Sequence, residues 1–243
     1  MITVNNLHKS FGDVVALKGV SFSAPDGKIT GLLGPNGAGK TTCLRILYTV
    51  LDPDKGEALV DGFNPRKNRL EVQQRIGVLP DNAGLYQRLT TRENIRYYGR
   101  IHGMKGAALE SRIDELITML DMHDIADRRT DGFSTGQRVK VAIGRALVHS
   151  PKNVLLDEPT SGLDVMSTRA MREMIRRIRD EGHSVLFSSH IMQEVSALCD
   201  NIVVISKGEV AISGSPNELR QETGKDNLED AFVVVIGSGE GLE

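Results

Sequence analysis

Gly34-Pro35-Asn36-Gly37-Ala38-Gly39-Lys40-Thr41-Thr42 decides how this chain is read. It follows an apolar run, Ile29 to Leu33, that reads as a buried strand. It precedes Cys43-Leu44-Arg45-Ile46-Leu47, which reads as a helix. Strand, glycine-rich loop, Gly-Lys-Thr and helix, in that order, make a phosphate-binding loop. Gly34, Gly37 and Gly39 let the backbone curl without Cβ clashes, so that successive N–H groups point inward at an anion. The helix that follows aims its positive dipole end at the same place. Lys40 adds a point charge that reaches β- and γ-phosphates, and the Thr41 hydroxyl is a ligand for Mg²⁺.

A second chemical element lies downstream. Asn153-Val154-Leu155-Leu156 is an apolar strand that ends in two adjacent carboxylates, Asp157 and Glu158. Neighbours at a strand end point to opposite sides. Asp157 is then placed to hold Mg²⁺, directly or through water, and Glu158 to face the water that attacks a γ-phosphate. A solvated acidic turn at a strand exit is the plainer alternative. Phe133-Ser134-Thr135-Gly136-Gln137 opens a helix. Ser134 as N-cap with Gln137 at N3 is a capping box, and a capped helix start is also an anion site.

Outward from these motifs the chain falls into three kinds of segment. Residues 2–7 and 14–24 alternate apolar and polar, as an antiparallel pair with one wet face would, with Phe11-Gly12-Asp13 as the turn between them. Periodicity alone puts Phe11 in the core. Short strands are expected over 57–60 and 75–79, with a break at Asp81-Asn82-Ala83-Gly84. From 91 to 149 β-branched runs disappear, and 92–101, 107–120 and 136–149 each fit a helix. Past Pro151 strands and helices alternate again: strands 153–157, 184–188, 201–206 and 209–212, helices near 165–180 and 191–199. That alternation argues for a parallel sheet with right-handed crossovers. The expected organisation is a nucleotide-binding core over 1–90 and 150–225, including an N-terminal antiparallel β unit. A helical insertion spans 91–149 and a C-terminal extension 226–243, with Gly237-Ser238-Gly239-Glu240-Gly241 as a frayed end.

At 243 residues the chain is one large domain, or a domain with a subdomain. A net charge of −2 gives no nucleic-acid or anionic-membrane footprint. No apolar stretch is long enough to span a bilayer, and the amino end lacks the pattern of a signal peptide. Cys43 and Cys199 cannot make a disulfide framework, which points to a reducing cytoplasm. Cys43 reads as a small buried hydrophobe rather than a redox switch. The arginines between Arg169 and Arg179, interspersed with Glu173 and Asp180, read as a solvated helix face.

Taken together, the motifs resemble the ATP-binding cassette (ABC) family over nearly the whole chain. Residues 34–41 match its Walker A motif and 153–158 its Walker B, with Glu158 at the catalytic glutamate. Ser134-Thr135-Gly136-Gln137 is similar to its signature, whose usual core is Ser-Gly-Gly-Gln. Ser161-Gly162-Leu163-Asp164 is similar to the D-loop, and His190 sits where the switch histidine sits. Phe11 falls at the aromatic that stacks on adenine, which reverses the core reading. The resemblance implies an α/β P-loop NTPase core with a mixed, mainly parallel sheet, an antiparallel β subdomain and a helical insertion. It implies ATP and Mg²⁺ as cofactors, and a head-to-tail pair of cassettes. In that pair each ATP lies between the phosphate loop of one copy and the signature of the other. A second such subunit, expected to be an identical copy, and a separate transmembrane permease are the implied partners, at the cytoplasmic face of the membrane and without nucleic acid.

Two residues depart from the family pattern. Asp81 stands where the Q-loop glutamine is usual: it can ligate Mg²⁺ but repels a γ-phosphate and donates no hydrogen bond when ionised. Thr135 replaces the first signature glycine and adds a Cβ where the opposite nucleotide must approach. A soluble cassette acting in DNA repair or translation is the rival reading. Such relatives carry long coiled coils, cysteine-rich modules or two cassettes, and the segment between Thr42 and Ser134 holds neither a heptad array nor such cysteines. The run Leu85 to Asn94, with Leu85, Tyr86, Arg88 and Glu93, resembles the membrane-coupling region of exporter-type cassettes. Leu228-Glu229-Asp230-Ala231-Phe232 resembles the carboxyl end of the drug- and sodium-extrusion subfamily.

Overall fold

Ile29–Leu33 is a strand (β3) in which every residue is buried, and it sits inside a six-stranded sheet. The structure is a computed structural model that describes residues 1–82 and 84–237. Ahead of β3 come β1 (Ile2–Phe11) and β2 (Val14–Ala24); after it come α1 (Lys40–Leu47), β4 (Lys55–Val60), α2 (Arg69–Gln73) and β5 (Ile76–Leu79). Three helices follow, α3 (Thr91–Ile101), α4 (Gly106–Met119) and α5 (Thr135–Leu147). The alternation then resumes with β6 (Asn153–Asp157), α6 (Val165–Asp180), β7 (Ser184–Ser189), α7 (Met192–Leu198), β8 (Asn201–Ser206) and β9 (Glu209–Gly214). The helices α8 (Pro216–Thr223) and α9 (Leu228–Ile236) close the described chain.

The large sheet has the order β5-β6-β7-β3-β8-β9. Its first four pairings are parallel and β8–β9 is antiparallel. A second, antiparallel sheet has the order β2-β1-β4. This is the mixed, mainly parallel P-loop architecture that the sequence implies.

The alternation of side chains along the central strands places everything else. A strand buried on both faces sends successive residues to opposite sides. In β6, Val154 and Leu156 join the core beneath the later helices, while Leu155 joins the core shared with α1 and the antiparallel sheet. Val185 and Phe187 against Leu186 in β7, and Ile202 and Val204 against Val203 and Ile205 in β8, repeat the division. One core therefore lies on each face. Helix α1 belongs to the second, through Cys43, Leu44, Ile46 and Leu47. Each such fully buried aliphatic side chain contributes about 1.5–3 kcal/mol.

Three departures from the sequence reading have local causes. β1 extends to Phe11 rather than stopping near Leu7, because register shifts after Val4, Leu7 and Lys9 break the clean alternation without ending the pairing. β4 begins at Lys55 and joins β1 as a third antiparallel strand. The expected strand over 57–60 falls inside it, and Lys55 and Gly56 give no periodic signal for the earlier start. The helices α2 and α8 are short, and each shows one buried side chain, Val72 and Leu219, too few for a periodic signal. The frayed end expected past Gly237 lies outside the described residues. Among the described residues no helix is long and apolar enough to cross a membrane.

Candidate nucleotide site

The loop between β3 and α1 wraps an open cavity lined by residues 36–42 together with Ala16, Asp81, Glu158, Ser161 and His190. Its glycines are there for space. A Cβ on Gly34 would sit 2.1 Å from the Ile205 carbonyl oxygen, so the loop can pass only as glycine. Gly37 has φ +78° with nothing near its missing Cβ, and Gly39 caps α1 in the left-handed region at φ +108°. No side chain caps that helix start. Its amides are left for an anion.

Lys40 is 5% exposed. Its Nζ donates to the carbonyls of Gly34 (2.8 Å) and Pro35 (3.1 Å) and lies 3.4 Å from Glu158 Oε1. The ammonium thus spans the mouth of the loop. Thr41 Oγ1 donates to Asp157 Oδ1 at 3.0 Å. Asp157, in step with Leu155, faces α1; Glu158 faces His190, whose Nδ1 lies 2.9 Å from Glu158 Oε2.

Ser188 completes this arrangement, and sequence reading missed it. It is fully buried, donates to Asp157 Oδ1 at 2.7 Å and accepts the Glu158 N–H at 2.9 Å. Glu158 itself sits at φ +50°, in the left-handed region. That backbone costs about 1–3 kcal/mol and persists only where its surroundings fix it. The available signal was the pair of small hydroxyl residues, Ser188-Ser189, ahead of His190 at the end of an apolar strand.

Burial pushes the Asp157 carboxyl above its ordinary range. The hydroxyls of Ser188 and Thr41 oppose the shift, and the charges of Asp81 and Glu158 add to it. Its second oxygen, Oδ2, is buried without a partner. An orphan carboxylate oxygen beside a threonine hydroxyl suits a hard, oxygen-seeking cation. Among the described residues no group of three or more His, Cys, Asp or Glu side chains could hold a metal unaided. A cation at Asp157 would therefore need ligands beyond the protein's carboxylates, which suits Mg²⁺ with water and phosphate. Asp81 lines the same cavity and acts on Asp157 through its charge.

Phe11 stands at the end of β1 with 46% of its surface exposed, outside the core, with Lys9 Nζ 5.5 Å from its ring centroid. Ala16, from the same hairpin, is the residue that reaches the loop cavity. The signature residues lie elsewhere. Ser134 and Gln137 form the expected capping box (3.1 and 3.2 Å). With Gly136 they line a separate groove against Leu163, Met166 and Ser167. Thr135 faces a neighbouring groove that also touches Asp157, Glu158 and Asp81. Asp164 caps α6, accepting the Ser167 N–H at 2.9 Å and its hydroxyl at 2.7 Å, which holds its carboxyl below the usual range. Neither Ser134, Gly136, Gln137 nor Asp164 lines the loop cavity of its own chain.

The segment expected to meet a membrane partner forms an exposed groove of Leu85, Tyr86, Gln87, Arg88, Leu89 and Tyr97. The buried Asn94 braces it, accepting the Tyr86 N–H and donating to the carbonyls of Tyr86, Leu89 and Thr90. Glu93 is committed to a capping box with Thr90.

A phosphate loop, a carboxylate pair at a neighbouring strand end and a signature-type helix start outside the loop cavity define a cassette-type ATPase. The ABC transporter family profile matches residues 17–161, and the chain belongs to that family as an ATP-binding, ATP-hydrolysing transporter subunit. It is 44% identical to the ABC transporter ATP-binding protein NatA of Bacillus subtilis (strain 168), over 98% of this chain and 99% of that protein. It is 33% identical to the linearmycin resistance ATP-binding protein LnrL of the same organism, over 98% of this chain and 79% of that protein. Among solved structures, an ATP-binding subunit of an ABC transporter superposes with a TM-score of 0.88 at 25% identity, covering 98% of this chain and 100% of that one. A dimeric post-hydrolysis cassette, MJ0796 bound to ADP and Pi, gives 0.78 at 26%, covering 88% and 98%.

Proposed function

We propose that this chain energises export by a separate transmembrane permease, working as a head-to-tail pair at the cytoplasmic face of the membrane. The observation that carries the reading is the separation of the loop cavity from the groove of Ser134 and Gly136. A helix start built for an anion, with no anion site of its own chain beside it, calls for a second copy. The helical segment 91–149 is the unit that presents it.

In this reading the amides of residues 36–42 and the Lys40 ammonium hold the β- and γ-phosphates of ATP, and Phe11 stacks on the base. Thr41 and Asp157 would hold Mg²⁺, with Asp81 lining the same cavity. Mg²⁺ supplies neutralisation of the phosphate charge. Glu158 orients the attacking water and takes its proton, and His190, hydrogen-bonded to it, keeps that carboxylate in place. Across the pair, Ser134, Thr135, Gly136 and Gln137 approach the γ-phosphate of the partner's ATP, and Asp164 lies at the seam. Hydrolysis breaks the bond between the β- and γ-phosphates, release of the γ-phosphate as inorganic phosphate takes away the charge that bridges the two faces, and the pair opens.

The export direction draws on the likeness to a linearmycin resistance ATP-binding protein, and sodium is the cargo to test first, from the sodium-extrusion resemblance of the carboxyl end. Glu158→Gln saturated with ATP is expected to run as a dimer by size-exclusion chromatography with light scattering, and to revert to monomer when the nucleotide is removed. A variant that stays monomeric at saturating ATP rules the pair out. From detergent-solubilised membranes the chain should copurify with a polytopic protein; copurification with ribosomes or DNA favours the soluble-ATPase alternative.

A further inference from the structure

Behind the carboxylate pair lies an acid that the proposed chemistry does not use. Glu194, on α7, is 2% exposed. Its Oε2 accepts two hydroxyls, from Thr160 at 2.6 Å and from Ser189 at 2.9 Å. Ser189 Oγ in turn accepts the Ile191 N–H at 3.0 Å. Thr160 is 6% exposed and Ser189 is fully buried.

The positions of the two donors are what give the contact meaning. Thr160 follows Glu158 and Pro159, and Ser189 directly precedes His190. Strand alternation in β7 sends Ser188 toward Asp157 and Ser189 to the opposite side, in step with Phe187 and toward α7. Glu158 and His190 are thus gripped from both faces of the sheet. Ser188 holds the Glu158 backbone from one, and Glu194 holds the segments flanking both residues from the other. A buried carboxylate is costly unless hydrogen-bonded. An apolar residue of similar size would fill the site without that cost.

We propose that Glu194 is a positioning residue for hydrolysis. By drawing Thr160 and Ser189 onto one oxygen, it fixes the distance between the loop after Glu158 and the strand end before His190, and so the 2.9 Å contact between them. The inference rests on Glu158 and His190 being the hydrolytic pair. Displacements of about 1 Å at a reacting centre can cost on the order of 100-fold in rate.

The test is steady-state ATP hydrolysis by the purified full chain, with ATP affinity and melting temperature measured alongside. Glu194→Ala is expected to lower kcat about 10- to 100-fold, at a KM for ATP within about threefold of the parent. Glu194→Gln keeps a carbonyl oxygen able to accept both hydroxyls and is expected to restore most of kcat. Parent-like kcat in Glu194→Ala overturns the proposal. So does a loss that Glu194→Gln shares in full, or one that comes only with lost ATP affinity and melting temperature. If Glu194→Ala does not fold, Thr160→Val decides: reduced kcat at unchanged KM supports the role, and parent-like kcat overturns it. Glu158→Gln run in parallel separates the two readings. If it hydrolyses ATP normally, the hydrolytic pair itself is misassigned; if it is inactive while Glu194→Ala is normal, only the positioning role fails.

Discussion

Glu158 carries its carboxylate on a left-handed backbone, a conformation that a non-glycine residue keeps only under constraint. One hydroxyl supplies part of that constraint: Ser188 Oγ accepts the Glu158 N–H and donates to Asp157. Ser188→Ala leaves that amide without an acceptor in a buried setting and frees the backbone to relax. Its kcat for ATP is expected to fall about tenfold while ATP affinity holds. An unchanged kcat would mean that the turn is fixed by packing alone. Asp81 acts at the same scale through charge. Asp81→Asn removes one of the carboxylates that raise Asp157, and should shift the Mg²⁺ concentration giving half-maximal hydrolysis. Superimposable Mg²⁺ titrations would leave Asp81 as a lining residue only. Cys43 shows the reverse case: full burial pushes its thiol up to about 12, and it serves as core.

At the scale of elements, the segments just past the ends of α3 and α5 meet through two stacked imidazoles, His102 and His149, with centroids 3.6 Å apart. Burial, and then the facing His102, depress His149 to about 4 from 6.5. Below pH 6.5 the unfolded chain takes up a proton that the folded chain refuses, so stability falls as pH drops from 6.5 toward 4. His149→Phe, which keeps a flat ring without a titrating nitrogen, should flatten melting temperature against pH across that window. A slope equal to the parent's would place the acid sensitivity elsewhere. The start of α5 gives a second element-scale expectation. Thr135→Gly removes a Cβ that, in the proposed pair, faces the opposite nucleotide, and ATP-dependent dimerisation should rise; a fall would count against the head-to-tail pair. The capping box at Ser134 was legible because its signature is local, as was the loop Gly34 to Thr42. Ser188, Glu194 and the pairing of β4 with β1 were not. Their meaning comes from partners 30 or more residues away, as with Glu158 and Asp157 for Ser188 and Thr160 for Glu194, and a chain read in order cannot see which distant residues share a face.

For the whole molecule, the parallel sheet reads clearly because its strands are continuous apolar runs. The helices α2 and α8 were lost to the reading because each buries so little. The two-core arrangement carries a consequence for how this chain can change. Leu155 and Leu156 could exchange cores with little complaint from either, since both sides accept an aliphatic group. The acids beyond them have no such freedom. Inserting a single residue into β6 would turn the Asp157 carboxylate away from Thr41 and α1. The strand thus tolerates exchange among aliphatic residues but is bound to a fixed count of them, and an insertion there should abolish ATP hydrolysis even where the chain still folds.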